Sequence, residues 1–126
     1  MVQISKRYLH KNLEDKLFKL FFESLAGLSN PPDIEKFLVD LISPVEKTML
    51  AKRLGIAILL AKGYQQDEVR NILKVSSETV SKVNMILNYR GEGYKMVVKK
   101  AIEKENFKEL FEGFIKEGLS VFSYSS

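Results

Sequence analysis

Residues 66–85, QDEVRNILKVSSETVSKVNM, decide the reading of this chain. Val69, Ile72, Leu73, Val75, Val80 and Val83 fall where two short helices would press on each other and on a third. The residues between them are small, polar or basic. This is the pattern of a helix-turn-helix, with its second helix from about Ser77 to Leu87. Ser77, Glu78, Thr79, Ser81 and Lys82 stand near the exposed start of that helix, and Ser76 just precedes them. A helix of this width fits the major groove of double-stranded DNA, where its N-terminal side chains would meet base edges. Short polar side chains leave room for a close approach. Glu78 can accept from a cytosine amino group, or it can support the helix dipole in the first turn.

Arg70 and Lys74 flank the turn as candidate phosphate contacts, with plain solvation as the alternative. Many helix-turn-helices carry a small residue at the first of these places and glycine at the second. Arg70 must therefore project along the surface. A positive φ at Lys74 would store strain on the order of 1 kcal/mol.

Charge follows the motif. The net charge is +4. Residues 1–42 balance at six Lys/Arg and six Asp/Glu, while residues 43–100 hold eleven against five. Residues 101–126 hold three against five. The positive excess thus coincides with the helix-turn-helix and its flanks, as phosphate contacts require.

Working outward, apolar residues recur at helical spacing almost throughout. The first helix is expected from about Lys6 to Ala26, with Leu9, Leu13, Leu17, Leu20, Phe21 and Leu25 in one stripe that Phe18 and Phe22 widen. A stripe this broad and aromatic points to a dimer core. Gly27 to Pro32 is a break. A second helix follows from Pro32 to Leu41, with Ile34, Phe37, Leu38 and Leu41 inward. Ser43-Pro44-Val45-Glu46 supplies an N-cap, a proline at the first position and a glutamate three residues after the cap. The third helix runs from Pro44 to Lys62, is apolar on more than one face, and ends at Gly63. Beyond the motif, Asn88 to Gly93 reads as a glycine-bearing loop flanked by Tyr89 and Tyr94, which serve hinge and core packing or stack on a ligand. Tyr94 to Glu105 and Phe107 to Gly118 read as two more helices, with a frayed Ser-rich end from Leu119. No strand alternation or internal repeat is found. The expectation is a single all-α domain of six to seven helices, divided into residues 1–42, 43–90 and 91–126.

Composition narrows the function. The chain has 126 residues, 45% of them hydrophobic, which excludes wholesale disorder. It has no Cys, and His10 is its one histidine, read as an ordinary surface residue. Thiolate metal sites and His-based clusters are thereby excluded within one chain. No phosphate-binding glycine loop is present, so an enzyme is the least favoured class. No signal peptide or membrane-spanning run is read, which makes the cytoplasm the expected compartment and excludes a membrane partner.

The run from Leu41 to Leu87 resembles the Trp repressor superfamily. Leu41-Ile42-Ser43-Pro44 opens a helix that continues through Glu46, Leu50 and Arg53 and closes at Leu59-Leu60-Ala61-Lys62-Gly63. Val69-Arg70-Asn71-Ile72-Leu73 then leads to Thr79-Val80-Ser81-Lys82. Val83 to Tyr89, followed by Gly93-Tyr94-Lys95, is closer to a Trp-repressor-like branch, and the likeness covers roughly half the chain. It implies an intertwined all-α homodimer, with the first, second and last helices interlocked and two reading heads projecting onto a palindromic operator. It also implies a corepressor site. Arg53 matches the arginine that pairs with the carboxylate of tryptophan in tryptophan-responsive members. Lys82 stands where those members place a second arginine, which stacks on the indole. An ammonium does not stack as a guanidinium does, which argues against tryptophan and for another small anion. The turn near Tyr64-Gln65 is also one residue shorter than in those members. The alternative for Arg53 is an ion pair with Glu46 or Asp40.

Three functions compete. The first is a sequence-specific transcriptional repressor that binds double-stranded DNA as a homodimer. The second is an effector-independent architectural DNA binder. The third is a protein-interaction module whose helix-turn-helix has left DNA.

Overall fold

The structure, a computed structural model, describes residues 10–104 and 106–124, with side chains through Leu119. Every regular element among the described residues is an α-helix, and there are seven. The chain divides into two compact units, one ending at Pro44 and one beginning at Val45.

The first unit holds α1 (Lys11–Ala26) and α2 (Pro31–Leu41). The start expected at Lys6 lies outside the described residues; the described helix opens at Lys11 after His10, which is non-helical and caps it, its ring accepting from the Asn12 N–H at 3.4 Å. The Leu9 position of the expected stripe lies outside the described residues. Asn30 caps α2 by accepting from the Asp33 N–H at 3.0 Å, and Pro31 and Pro32 occupy the first helical positions, where a missing N–H costs nothing. Neither helix buries a residue. Phe18 and Phe22 remain 50% and 62% exposed. Ile34 and Leu41, expected inward, are exposed, whereas Phe37 and Leu38 are half-buried.

The second unit is built on α3 (Pro44–Ala61). Ile56, Ala57 and Leu59 are completely buried in its C-terminal half. Gly63 ends the helix with φ +93°. Its N–H bonds to the Leu60 carbonyl at 3.0 Å, and the Tyr64 N–H bonds to the Leu59 carbonyl at 3.0 Å. This pair of bonds satisfies two orphan carbonyls and needs a left-handed residue between them, which favours glycine. The helices α4 (Gln66–Leu73) and α5 (Ser77–Tyr89) then add Val69, Ile72, Val80 and Val83 to the core. Val98 of α6 (Glu92–Glu103) closes it, and Phe111 and Ile115 of α7 (Phe107–Tyr124) pack on its edge. Lys62 lies over the rings of Phe107 and Phe111, 5.5 and 5.0 Å from their centroids, so its ammonium helps fasten α7 to the end of α3.

Three expectations about the second half are corrected. The loop from Asn88 to Gly93 shrinks to Arg90 and Gly91, because α5 runs on to Tyr89 and α6 already includes Gly93. Tyr89 is 83% exposed and packs into no core, unlike the half-buried Tyr94. The last helix continues past Gly118 to Tyr124 instead of fraying at Leu119.

Candidate nucleic-acid interface

The candidate interface lies at the turn between α4 and α5. The Glu68 carboxylate accepts from the Gln65 N–H at 2.9 Å, which fixes the entry to α4. At its exit Lys74 adopts φ 55° and ψ 55°, the left-handed conformation. The Val75 N–H returns to the Arg70 carbonyl at 3.2 Å and closes the turn. Ser76 then caps α5, its hydroxyl accepting from the Thr79 N–H at 3.2 Å and pairing with the Thr79 hydroxyl at 2.9 Å. Val80 and Val83 are 1% and 3% exposed, so they fix which face of α5 points inward. Ser77, Glu78, Ser81 and Lys82 are all exposed on the other side, while Thr79 is half-buried.

Each proposed contact residue now has a place. Arg70 is exposed and spans the turn, its Nη1 donating to the Ser77 hydroxyl at 3.1 Å and its Nη2 lying 3.7 Å from the Asp67 carboxylate. Glu78 stands in the first turn of α5, near the positive end of the helix dipole. Lys74 is exposed at the turn itself. Arg70, Lys74, Ser76, Ser77, Glu78, Ser81 and Lys82 are all exposed on the motif, Arg70 is bonded to Ser77, and the half-buried Thr79 is bonded to Ser76.

Arg53 falls elsewhere on the same unit. It lines a small cleft of about 130 Å³ with Met49, Lys52, Val75, Ser76 and Thr79. Lys52, Arg53, Ser76 and Thr79 thus line one small, mostly apolar recess against the start of α5. Lys82 is exposed and is not one of the residues lining that cleft. Lys52, which the sequence pattern did not single out, takes its place there. Its ammonium also donates to the Lys74 carbonyl at 3.2 Å. Its position beside Arg53 was a weak signal, and only the folded turn reveals the bond.

Among the described residues no helix is long and apolar enough to cross a membrane. No solved structure matches this chain at a meaningful level. The uncharacterized protein YerC of Bacillus subtilis (strain 168) is 29% identical over 93 residues, covering 74% of this chain and 89% of the relative. The family profile described as Trp repressor protein matches residues 16–112, a span that takes in most of α1 and all of α2 to α6. With an all-helical fold and a helix-turn-helix at its centre, the chain belongs to the Trp repressor family of DNA-binding regulators.

Proposed function

We propose that this protein is a sequence-specific transcriptional repressor that binds a palindromic operator as a homodimer. The observation that carries the reading is the two-faced start of α5. Val80 and Val83 anchor it in the core, and Ser77, Glu78, Ser81 and Lys82 face solvent beside Arg70 and Lys74. These are the groups that base edges and phosphates require. Occlusion of a promoter needs no further surface, which favours repression. The apolar face of α1 supports the dimer, since Leu13, Leu17, Leu20 and Phe22 are 48–63% exposed in a single chain. In this reading residues 1–42 and 91–126 dimerise, and residues 43–90 carry the central helix and the reading head. Arg53 and its cleft would hold a small anionic corepressor, with Lys52 rather than Lys82 as the second cationic residue beside it.

Selection of duplexes from a random pool, followed by mobility shifts over a range of salt, tests the proposal. A preferred inverted repeat and an affinity that falls with salt are expected. Salt-dependent binding without sequence preference would instead mark an architectural binder. Absence of DNA binding would mark a protein-interaction module.

A further inference from the structure

The left-handed residue at the turn is a lysine, and a second lysine from α3 holds its carbonyl. Lys52 Nζ donates to the Lys74 carbonyl oxygen at 3.2 Å across 22 residues of sequence. Gly55 stands three residues further along α3, hence on the same face. A Cβ added at Gly55 would lie 3.3 Å from Leu73 Cδ1, tighter than an ordinary contact. The pair therefore seats the end of α4. Gly55 lets Leu73 come close, and Lys52 meets the carbonyl that the left-handed turn directs out of the helix ladder. The C-terminal end of α4 carries partial negative charge, so an ammonium is favoured there. A left-handed backbone is costly for any residue with a Cβ and persists where its surroundings hold it.

We propose that Lys52 is a positioning residue for sequence recognition. By bonding the Lys74 carbonyl it fixes the turn, and through the turn it fixes where Ser76 starts α5 against α3. This rests on the reading of α5 as the DNA-contacting helix. Lys52 acts through protein structure, without touching DNA. The same side chain borders the Arg53 cleft, so the turn and the cleft share one group.

Two variants of the full chain test it. Lys52→Met keeps the aliphatic stem and removes the donor, and Lys52→Arg restores a donor. The first measurement is amide exchange at Val75, whose N–H closes the turn onto the Arg70 carbonyl. The amides of Ile56 and Leu59 serve as an internal reference for the core. Val75 should exchange about threefold to tenfold faster in Lys52→Met, the size of one hydrogen bond, and return towards the parent rate in Lys52→Arg. The second measurement is the ratio of affinities for the selected operator and a random duplex. It should fall by a similar factor in Lys52→Met and recover in Lys52→Arg, with the salt slope unchanged. Unaltered Val75 exchange in Lys52→Met, or equal acceleration in both variants, overturns the proposal. So does a faster Val75 with an unchanged affinity ratio. A salt slope shallower by about one with Val75 unmoved would make Lys52 a direct phosphate contact and reject the positioning role. If the parent shows no sequence preference, the reading role of α5 fails, while Val75 exchange still decides whether Lys52 holds the turn.

Discussion

Arg70 reaches across the turn to Ser77, its Nη1 donating to the Ser77 hydroxyl at 3.1 Å. The bond joins the last turn of α4 to the first residue of α5. It also holds the guanidinium at the exposed surface of the motif, where the proposed reading places a phosphate contact. Exposed pairs of this kind add about 0–1 kcal/mol to stability, because solvent screens them and both side chains lose freedom. Arg70→Ala should therefore leave the melting temperature nearly unchanged. It should weaken binding to operator and random DNA alike and make the salt slope shallower by about one. Anisotropy titrations at several salt concentrations check this. A loss confined to the operator would assign Arg70 to base reading instead.

Thr79 is the complementary case. It is half-buried, and its hydroxyl is 2.9 Å from that of Ser76. Losing the hydroxyl removes no charge, so random binding should hold. Thr79→Ala should lower operator preference by about 1–3 kcal/mol, the range for one base contact, and Thr79→Ser should recover part of it. Equal losses on operator and random DNA would show that the substitution unsettles α5 as a whole. Ser76→Ala provides the comparison, since it deletes the cap of α5 at a cost of about 0.5–2 kcal/mol in stability.

What the sequence made legible was local or periodic. The spacing of Val69, Ile72, Val80 and Val83 gave the helix-turn-helix because all four point at one core. Gly63 announced the end of α3 because few other residues take its φ of +93°. Lys52 was not legible, since its partner is a carbonyl exposed only once the turn has folded 22 residues away. Lys82 was assigned to the Arg53 cleft by family resemblance alone, and its exposed position on α5 follows from helix phase that the resemblance did not resolve. The joint between α5 and α6 was read as a loop because three of the residues from Asn88 to Gly93, namely Asn88, Gly91 and Gly93, favour turns. Only Gly91 among them uses a positive φ.

That difference between two glycines gives a stability test. Gly91 has φ +28°, and a Cβ there would lie 2.7 Å from Leu87 Cα and 2.9 Å from the Ile86 carbonyl oxygen. These are backbone atoms and cannot rotate away. Gly93 sits inside α6 with nothing within 4 Å of the same hypothetical atom. Gly91→Ala should lower stability by more than ~1 kcal/mol, whereas Gly93→Ala should raise it by about 0.5–1 kcal/mol through helix propensity and a less free unfolded chain. Thermal or urea unfolding of both variants decides this, and equal effects would reject the tight joint between α5 and α6.

The dimer proposal predicts that α1 cannot stay bare. Phe18 and Phe22 are 50% and 62% exposed and lie four residues apart, on one side of the helix. Replacing both with glutamate should dissociate the assembly and abolish operator binding, because each half-site alone contributes too little affinity. Sedimentation of the parent at micromolar concentration should show twice the 14.5 kDa chain mass. A folded parent monomer under those conditions would overturn the dimer.

The final prediction concerns the cleft. Arg53 and Lys52 line a mostly apolar recess of about 130 Å³ together with Ser76 and Thr79. A small anion there would touch α3 and the start of α5 together. It could change DNA affinity only by the difference in its own affinity for the orientations of α5 that it contacts. Tryptophan is disfavoured, because position 82 carries no arginine and does not line the recess, so it offers no guanidinium to stack on the indole. Calorimetry with the parent should therefore show weak or no tryptophan binding. A thermal-shift screen of small anions should find one that raises stability, by about 2.7 kcal/mol at 100 times its dissociation constant. Arg53→Ala should remove that shift and any effect of the anion on operator affinity. Operator affinity unchanged by Arg53→Ala in every ligand condition would reject the corepressor reading, and tight tryptophan binding by the parent would refute the argument from Lys82.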